Sequence, residues 1–281
     1  MNTPFSIVTI VKGRIRQLSN LISSLEHSEH LPEELIIVWM APPCSESLIS
    51  SDKFAIRHRF TTCDELPIAK ARNKGFRACT TPITLYLDVD CICPPDLLGK
   101  VTESVKDGKI VTAGVTEFEY VLDDVNMKML AQLSQQHGLS GRSLHFDHFN
   151  TRFFAITRND YQALGGFDQH YTGYGIGDID FATTCSKQGM ALVRIAGTVF
   201  TQFHPHYYPP VNHLCDIVSN AQTYRQKWGV YPRCDALQGL VDAGFINADY
   251  RQTGIKVKTI PDEDDLKPHL VTAPHRLQQS A

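Results

Sequence analysis

Apolar runs and amphipathic stretches alternate along the first 115 residues of the chain. Phe5–Val11 and Leu35–Met40 are runs rich in β-branched and other apolar residues, a pattern typical of strands that are buried on both faces. Between them, apolar side chains recur at i, i+3, i+4 and i+7, which predicts an amphipathic helix. The apolar positions of this helix are Leu18, Leu21, Ile22 and Leu25.

The alternation continues towards residue 115. Phe54–Phe60 alternates in the manner of an edge strand, and Ile83–Leu87 and Ile110–Ala113 are two further apolar runs. Helical stripes at 68–79 and 97–105 separate them. Because strand and helix alternate four times, we predict an α/β fold with a doubly wound, mainly parallel sheet.

Ligands of such sheets bind beyond the carboxyl ends of the strands. This rule directs attention to three segments: Lys12–Arg14, the loop before Ile68, and Asp88–Asp90.

The second half of the chain is less regular. Residues 137–150 are rich in Gly, His and Arg and are predicted to form a mobile loop near a site. The glycine-dense stretch Thr172–Gly177 opens into a short helix. A longer helix is predicted between Asn212 as its cap and Gly229 as its stop.

Composition and charge limit the class of protein. The 281 residues are 42% hydrophobic and 20% charged, with a net charge of −3. A chain of this size and composition can bury a sizeable core as one large α/β domain. Because Lys and Arg do not exceed Asp and Glu, no basic surface for nucleic acid is expected.

Targeting and redox signals are weak. No basic stretch with a cleavage site precedes the first strand, and no apolar run reaches the ~18–20 residues of a membrane span. We therefore expect a cytoplasmic protein whose only membrane contact would be peripheral, at the inner membrane.

The eight scattered cysteines are interpreted as reduced and structural. Cys91-x-Cys93 lacks the spacing of a zinc knuckle.

Asp88 and Asp90 directly follow the fourth predicted strand. Two carboxylates at a strand end suit Mg²⁺ or Mn²⁺, which could bridge the phosphates of a nucleotide. The alternative is a solvated pair in a turn. No glycine-rich phosphate loop is present, so phosphate would be held by metal and by cations. The candidate cations are Lys12, Arg14, Arg72 and Lys74, with Arg72 alternatively a surface charge on its helix.

A second acidic cluster lies behind the glycines. Asp178 and Asp180 either cap a helix or, in the case of Asp178, act as a general base aimed into a cleft. His204 could complete a metal site, with His206 as the alternative, or both could be incidental among 12 histidines. Tyr174 could stack on a sugar or be a half-buried loop aromatic.

From about Phe5 to about Ala243, these segments in this order resemble the nucleotide-sugar glycosyltransferases of family 2, which have the GT-A fold, a Rossmann-like sandwich. The resemblance is closest to the galactosyltransferase-related branch and to the animal β-1,4-galactosyltransferases. The segments that carry it are Val11–Arg14, Leu66–Asn73, Leu87–Ile92, Gly166–Asp168, Thr172–Gly175, Asp178–Phe181 and His204–Pro210.

The resemblance implies inverting transfer of a sugar from a UDP-sugar to a hydroxyl of a glycan or other acceptor. It implies that Asp88 and Asp90 bind Mn²⁺ or Mg²⁺ and that Asp178 is the catalytic base. The residues implied to bind the nucleotide sugar are Lys12, Arg14, Arg72, Asp88 and Asp90. The residues implied to contact the acceptor are Phe167, Asp168, Tyr174 and Asp180.

Two further expectations follow from the resemblance. A single GT-A domain would span 1–255, with a nucleotide-binding half at 1–115, an acceptor and base half at 116–210 and closing helices at 211–255. A polar, loosely ordered tail would follow at 256–281.

The family's Glu-Asp pair is Gly177-Asp178 here, so one carboxylate expected to bind the acceptor is missing. A catalytically weak or inactive sugar-binding protein is therefore the alternative.

Overall fold

The structure is a computed structural model that describes residues 3–44, 48–61, 66–134 and 142–274. Its strands are β1 (Phe5–Val11), β2 (Glu34–Trp39), β3 (Ala55–Phe60), β4 (Ile83–Leu87), β5 (Cys91–Ile92), β6 (Lys109–Glu117), β7 (Arg142–Leu144), β8 (Phe153–Thr157), β9 (Ala191–Thr201), β10 (His206–Tyr207) and β11 (Leu270–Val271). Its helices are α1 (Ile15–Glu26), α2 (Ile68–Ala78), α3 (Leu97–Ser104), α4 (Met127–Ser134), α5 (Arg158–Leu164), α6 (Gly177–Lys187), α7 (Leu214–Trp228), α8 (Asp235–Asp242), α9 (Tyr250–Thr253) and α10 (Glu263–Leu266).

Within the described residues, nine strands form one sheet in the order β3-β2-β1-β4-β8-β6-β9-β5, with β7 paired to β9. The strands β1 to β4 are parallel, and β6 and β9 are parallel to each other. Antiparallel β8 lies between β4 and β6. The predicted α/β fold with a mainly parallel sheet is confirmed, and β3 is the edge strand that its alternating pattern predicts.

Alternation along the strands divides the core between the two faces of the sheet. Leu85 and Leu87 of β4 face the cluster that includes α1 and α3. Tyr86 faces the opposite cluster, where α2, α5 and α6 pack. A third cluster holds α7 and α8 together. Because Asp88 follows Tyr86 by two residues, it leaves the strand on the α2 face.

Helix α2 packs very closely on this face because it carries Gly75. A Cβ at Gly75 would lie 2.3 Å from Cγ1 of Val8 and 3.2 Å from Cγ2 of Val38. The absent side chain therefore lets α2 approach β1 and β2, and this close approach fixes the height of Arg72 above the sheet.

The helix that carries Asp178 is anchored from behind by a buried carboxylate. Asp180 on α6 is 1% exposed. It accepts hydrogen bonds from Trp228 Nε1 at 2.7 Å and Tyr171 Oη at 3.0 Å, and Lys227 Nζ lies 2.9 Å from its other oxygen. The same ammonium donates to Asp168 at 2.9 Å. This network ties α6 to α7.

One end of α7 differs from the sequence-based prediction and the other agrees with it. Asn212 does not cap α7, because a 3-10 turn at Val211–His213 comes first and the helix begins at Leu214. Gly229 does end that helix, at a φ of 78°.

The described part of the tail, to residue 274, contains regular structure. Leu270–Val271 pairs antiparallel with His206–Tyr207 in a separate two-stranded sheet. Among the described residues, every helix is too short or too polar to serve as a membrane span.

We predict that Gly75→Ala destabilises the protein by about 1–3 kcal/mol, because the new methyl group overpacks the interface between α2 and β1. Urea unfolding measures the change. The control is the same substitution in a Val8→Ala background, where the clashing methyl groups are gone and the added cost should shrink. Strictly additive costs would contradict this packing.

The ion pair of Asp168 predicts a pH-dependent stability. Burial alone would raise the pKa of Asp168, but hydrogen bonds from Lys227 and His170 outweigh it and lower the pKa to about 2. Because this lies below the ~3.9 of an unfolded aspartate, the stabilisation is present above pH ~4 and is lost as the pH falls towards 2.

We therefore expect Asp168→Asn to be less stable than the wild type at pH 5–7, by up to ~1 kcal/mol for a partly exposed pair. The difference should vanish as the pH falls from about 4 to about 2. Urea unfolding at each pH tests this. Asp107→Asn, at an exposed turn position, is the control, and an equal pH dependence in both variants would refute the assignment.

Candidate active site

A cleft of about 960 Å³ opens on the α2 face of the sheet, beyond the carboxyl ends of β1 and β4. Its volume is in the range of small-molecule and cofactor sites. Ten of the thirteen candidate residues line it: Lys12, Arg14, Arg72, Asp88, Asp90, Phe167, Tyr174, Asp178, His204 and His206. Lys74 does not line it and instead donates to the carbonyl oxygen of Phe60. The sequence motifs, far apart in the chain, therefore meet in one place.

The turn after β1 aims an arginine into the cleft. Gly13 and Arg14 both have positive φ, 69° and 56°. Arg14 is the unusual one, because residues with a side chain rarely adopt this conformation and pay for it in strain. In this conformation its carbonyl accepts from Leu18 N at the start of α1, and its guanidinium forms an ion pair with Asp90.

Asp90 is a buried carboxylate that lacks sufficient partners. It is 6% exposed, Arg14 engages Oδ2, and Oδ1 has no hydrogen bond within the described residues. Burial raises the pKa of Asp90 to about 7, with a further contribution from Asp88 and a partial offset from Arg14. A buried, unsatisfied carboxylate oxygen beside a second carboxylate is a favourable position for a cation.

His204 is the histidine beside this carboxylate. Its Nε2 lies 3.4 Å from Asp90 Oδ2, and its Nδ1 lies 3.0 Å from the carbonyl oxygen of Pro205. A proton on Nδ1 would leave the Nε2 lone pair available to a metal. Burial and the charge of Arg14 lower the pKa of His204, which favours the neutral ring.

These donors fit a divalent cation. Two carboxylates and a neutral imidazole suit Mn²⁺ or Mg²⁺, and the unpartnered oxygen of Asp90 has room for one more bond. In the described part of the chain, however, no group of three or more His, Cys, Asp or Glu side chains converges as a preformed metal centre. An ion held by Asp88, Asp90 and His204 would have to take its other ligands from water or from a bound ligand.

A second strained turn positions Asp178. Ile176 has a φ of 64°, a conformation that is a genuine outlier for a β-branched residue, and it precedes the first turn of α6. This turn holds Asp178 at the cleft with its side chain 46% exposed. One oxygen pairs with Arg72 and the other accepts from Thr151 Oγ1.

Arg72 is not a surface charge. It is 7% exposed, and its guanidinium carbon lies 4.9 Å from the ring centroids of both Tyr86 and Phe167. Burial would lower the pKa of Arg72, but the charge of Asp178 outweighs this and raises it above its usual range. Its Nη1 donates to Asp178, and the contact with a diphosphate that the resemblance implies stays a prediction.

Two predicted acceptor residues lie outside the cleft. Asp180 is the buried anchor of α6, and Asp168 is paired with Lys227 and His170. Neither lines the cleft; both lie at a second, smaller depression beside Lys227, and their contact with an acceptor stays a prediction. Phe167 and Tyr174 do line it, and Tyr174 is 39% exposed and stacks on His213 at 4.4 Å.

The cleft residues that sequence reasoning missed include Tyr86, Glu117, Thr151 and Arg152. The signal for Tyr86 was available, because it precedes Asp88 by two residues on the same face of β4. Glu117 ends β6, at the edge where ligands bind. Arg152 is set by a long-range contact, as its carbonyl accepts from Asp88 N at 2.8 Å. Residues 62–65 and 137–141 of two predicted site loops lie outside the described residues.

Comparison with solved structures supports the GT-A fold. The chain is similar to GalNAc-T7, solved with UDP, GalNAc and Mn²⁺, with a TM-score of 0.52 and 11% identity over 72% of this chain and 44% of that one. It is also similar to residues 1–349 of S. aureus TarS, with a TM-score of 0.53 and 11% identity over 89% of this chain and 72% of that one. The chain thus spans less than half the length of the GalNAc-T7 chain.

No curated protein matches the sequence. The sequence model of the family described as Glycosyl transferase family 2 matches residues 6–174, more than half of the chain. That match contains Arg14, Arg72, Asp88 and Asp90, and it ends at Tyr174, just before the turn that holds Asp178. The chain therefore belongs to glycosyl transferase family 2 and has the GT-A fold.

Proposed function

We propose that this glycosyltransferase moves a sugar from a UDP-sugar to a hydroxyl of a glycan or other acceptor, with a divalent metal and with inversion at the anomeric carbon. One observation carries the proposal: the carboxylate pair Asp88/Asp90 and the separate carboxylate Asp178 open on the same cleft. A single displacement needs these two functions on opposite sides of the reacting carbon.

On the donor side, the chain's own groups bind negative charge. Arg14 and Lys12 lie at the end of β1, where a diphosphate would rest against the sheet edge. A Mn²⁺ or Mg²⁺ ion held by Asp88, Asp90 and His204 would neutralise charge on the departing diphosphate. We favour His204 over His206 as the ligand because Nε2 of His204 lies 3.4 Å from Asp90 Oδ2.

On the acceptor side, Asp178 is placed to take the proton of the attacking hydroxyl. A carboxylate offers about four acceptor positions, and Arg72 and Thr151 occupy only two of them. These two donors fix the orientation of the carboxylate while leaving room for an acceptor hydroxyl. The exposed ring of Tyr174 provides a face on which an acceptor sugar can stack.

A sugar-binding protein without turnover is the second candidate, and Gly177 favours it. The galactosyltransferase-related branch that the sequence resembles has a glutamate at this position. A Cβ at Gly177 would lie 3.3 Å from Cβ of Tyr171, so a larger residue would require Tyr171 to shift. Slow hydrolysis of a UDP-sugar that is lost in Asp178→Asn would exclude this candidate.

We predict that Asp90→Asn and Asp178→Asn separate binding from transfer. Asp90→Asn should lose metal-dependent binding of UDP, because the carboxylate that attracts the cation is gone. Asp178→Asn should bind UDP and Mn²⁺ normally and lose transfer or hydrolysis by about 10²–10⁴-fold, the usual contribution of a general base.

Calorimetry of UDP binding and a UDP-release assay measure the two effects. Asparagine keeps an oxygen that can accept from Arg72, so folding should survive, and thermal unfolding verifies this. Normal metal and UDP binding by Asp90→Asn would show that the metal site is elsewhere.

Metal removal provides a separate test. We expect EDTA to weaken UDP binding by at least tenfold and to abolish hydrolysis of UDP-sugars, with both restored by excess Mn²⁺. Asp107→Asn, far from any predicted ligand in sequence, should respond as the wild type does. UDP binding and turnover that are unchanged by chelation would refute metal dependence.

A further inference from the structure

Two cations that line the cleft, Lys12 and Arg152, make no side-chain hydrogen bond or ion pair with any described residue. Both side chains are exposed. Arg14 and Arg72, in contrast, are each paired with a carboxylate of the cleft. An exposed cation without a carboxylate partner is available to an anionic ligand. Of the two, Arg152 is the one that the sequence motifs did not indicate.

The sheet places Arg152 level with the carboxylate pair. Because β8 runs antiparallel to β4, its first residue meets the end of β4, where Leu87 pairs with Phe153. Arg152 directly precedes Phe153, and its carbonyl oxygen accepts from Asp88 N at 2.8 Å. The backbone of Arg152 is therefore fixed against the turn that carries Asp88 and Asp90.

The preceding residue connects this position to the candidate base. Thr151 Oγ1 donates to Asp178 Oδ2, and Thr151 also lines the cleft. Two consecutive residues, Thr151 and Arg152, thus extend from the base to the turn of the metal-binding candidates. In an in-line displacement the reacting carbon lies between the base and the departing group. Arg152 is accordingly on the side of the departing diphosphate.

Electrostatics agrees with this position. Burial raises the pKa of Asp90, and nearby positive charge, including that of Arg152, partly offsets the rise. Burial and the charge of Asp178 raise the pKa of Tyr174, and the charge of Arg152 acts against this shift as well. The field of Arg152 therefore reaches both Asp90 on the donor side and Tyr174 on the acceptor side.

The reaction itself creates a need for such a cation. As the acceptor oxygen bonds to the anomeric carbon, the bond from that carbon to the β-phosphate oxygen breaks, and its electron pair remains on the phosphate. The proton of the acceptor hydroxyl passes to Asp178. The diphosphate thereby gains one negative charge that a divalent ion, which balances the charge of the intact donor, does not offset. A preorganised cation at this point lowers the barrier.

We propose that Arg152 binds the β-phosphate of the donor and stabilises the negative charge that develops there as the sugar leaves. This rests on the proposed function, since it assumes a UDP-sugar in the cleft. A guanidinium suits the role because its planar fork can donate two parallel hydrogen bonds to phosphate oxygens. A carboxylate on the sugar would fit the same fork, and the experiment separates the two anions.

The test compares Arg152→Gln with Arg77→Gln. Arg77 is also an exposed arginine, but it lies on α2 and does not line the cleft. Dissociation constants with Mn²⁺ present are measured by calorimetry for UDP, UDP-glucose and UDP-glucuronate, and by NMR titration for UMP, which has no β-phosphate. Thermal unfolding is recorded for each protein.

We expect Arg152→Gln to bind UDP about tenfold or more weakly than the wild type does, the loss of a charge-assisted hydrogen bond. UDP-glucose should lose less, because its β-phosphate has not yet gained the additional charge, and UMP should bind both proteins equally. The melting temperature should stay that of the wild type, since the Arg152 side chain is exposed and unpaired. Arg77→Gln should bind every ligand as the wild type does.

Other outcomes overturn the proposal. If Arg152→Gln binds UDP as the wild type does, or loses as much affinity for UMP as for UDP, Arg152 does not contact the β-phosphate, and the function proposed above still stands. If the loss is largest for UDP-glucuronate, the guanidinium binds a sugar carboxylate instead. If the wild type binds neither UDP nor any UDP-sugar, the proposed function fails and the role of Arg152 fails with it.

Discussion

The ion pair between Arg72 and Asp178 is the contact on which the site depends. It joins α2, which Gly75 places against the sheet, to the first turn of α6. The Asp178 carboxylate offsets part of the cost of burying the charge of Arg72. The guanidinium in turn is held between its two flanking rings and, together with Thr151, orients the carboxylate. The candidate base is thus oriented by the same packing that forms the core.

The cleft repeats this arrangement on its other side. Arg14 pairs with Asp90 as Arg72 pairs with Asp178. In each pair one partner lies at a turn with an unfavourable positive φ, at Arg14 itself and at Ile176, two residues before Asp178.

Among the described residues, the charged groups that line the cleft are Lys12, Arg14, Arg72, Arg152, Asp88, Asp90, Glu117 and Asp178. Four positive and four negative charges cancel, so the net charge of −3 carries no information about this site. A neutral cleft suits a diphosphate that arrives with a divalent cation, since together these add no charge.

The sequence predicted the sheet and its ligand-binding edge well, because strand burial and strand ends depend on local pattern. The largest difference between the expected and observed positions concerns Asp180, and it comes from spacing. Asp88 and Asp90 are two residues apart where the chain leaves a strand, and both reach the cleft. Asp178 and Asp180 have the same spacing on a helix, where two residues correspond to roughly 200° of rotation. Asp180 therefore points away from Asp178 and into the protein, where Trp228 and Lys227 bind it.

What the sequence could not supply is the pairing of charges across the cleft. Each arginine is separated from its carboxylate by more than 70 positions, and nothing in a local pattern matches one to the other. The same holds for the unpartnered atoms of Tyr86, Arg72 and Asp90, which become unusual only when their surroundings are known.

Strained turns, a buried carboxylate and unsatisfied polar atoms each lower stability, and here they coincide at one cleft. Such a concentration is expected where the fold keeps groups ready for a ligand, because those same costs fall when the ligand binds. These features mark the site without any reference to family resemblance.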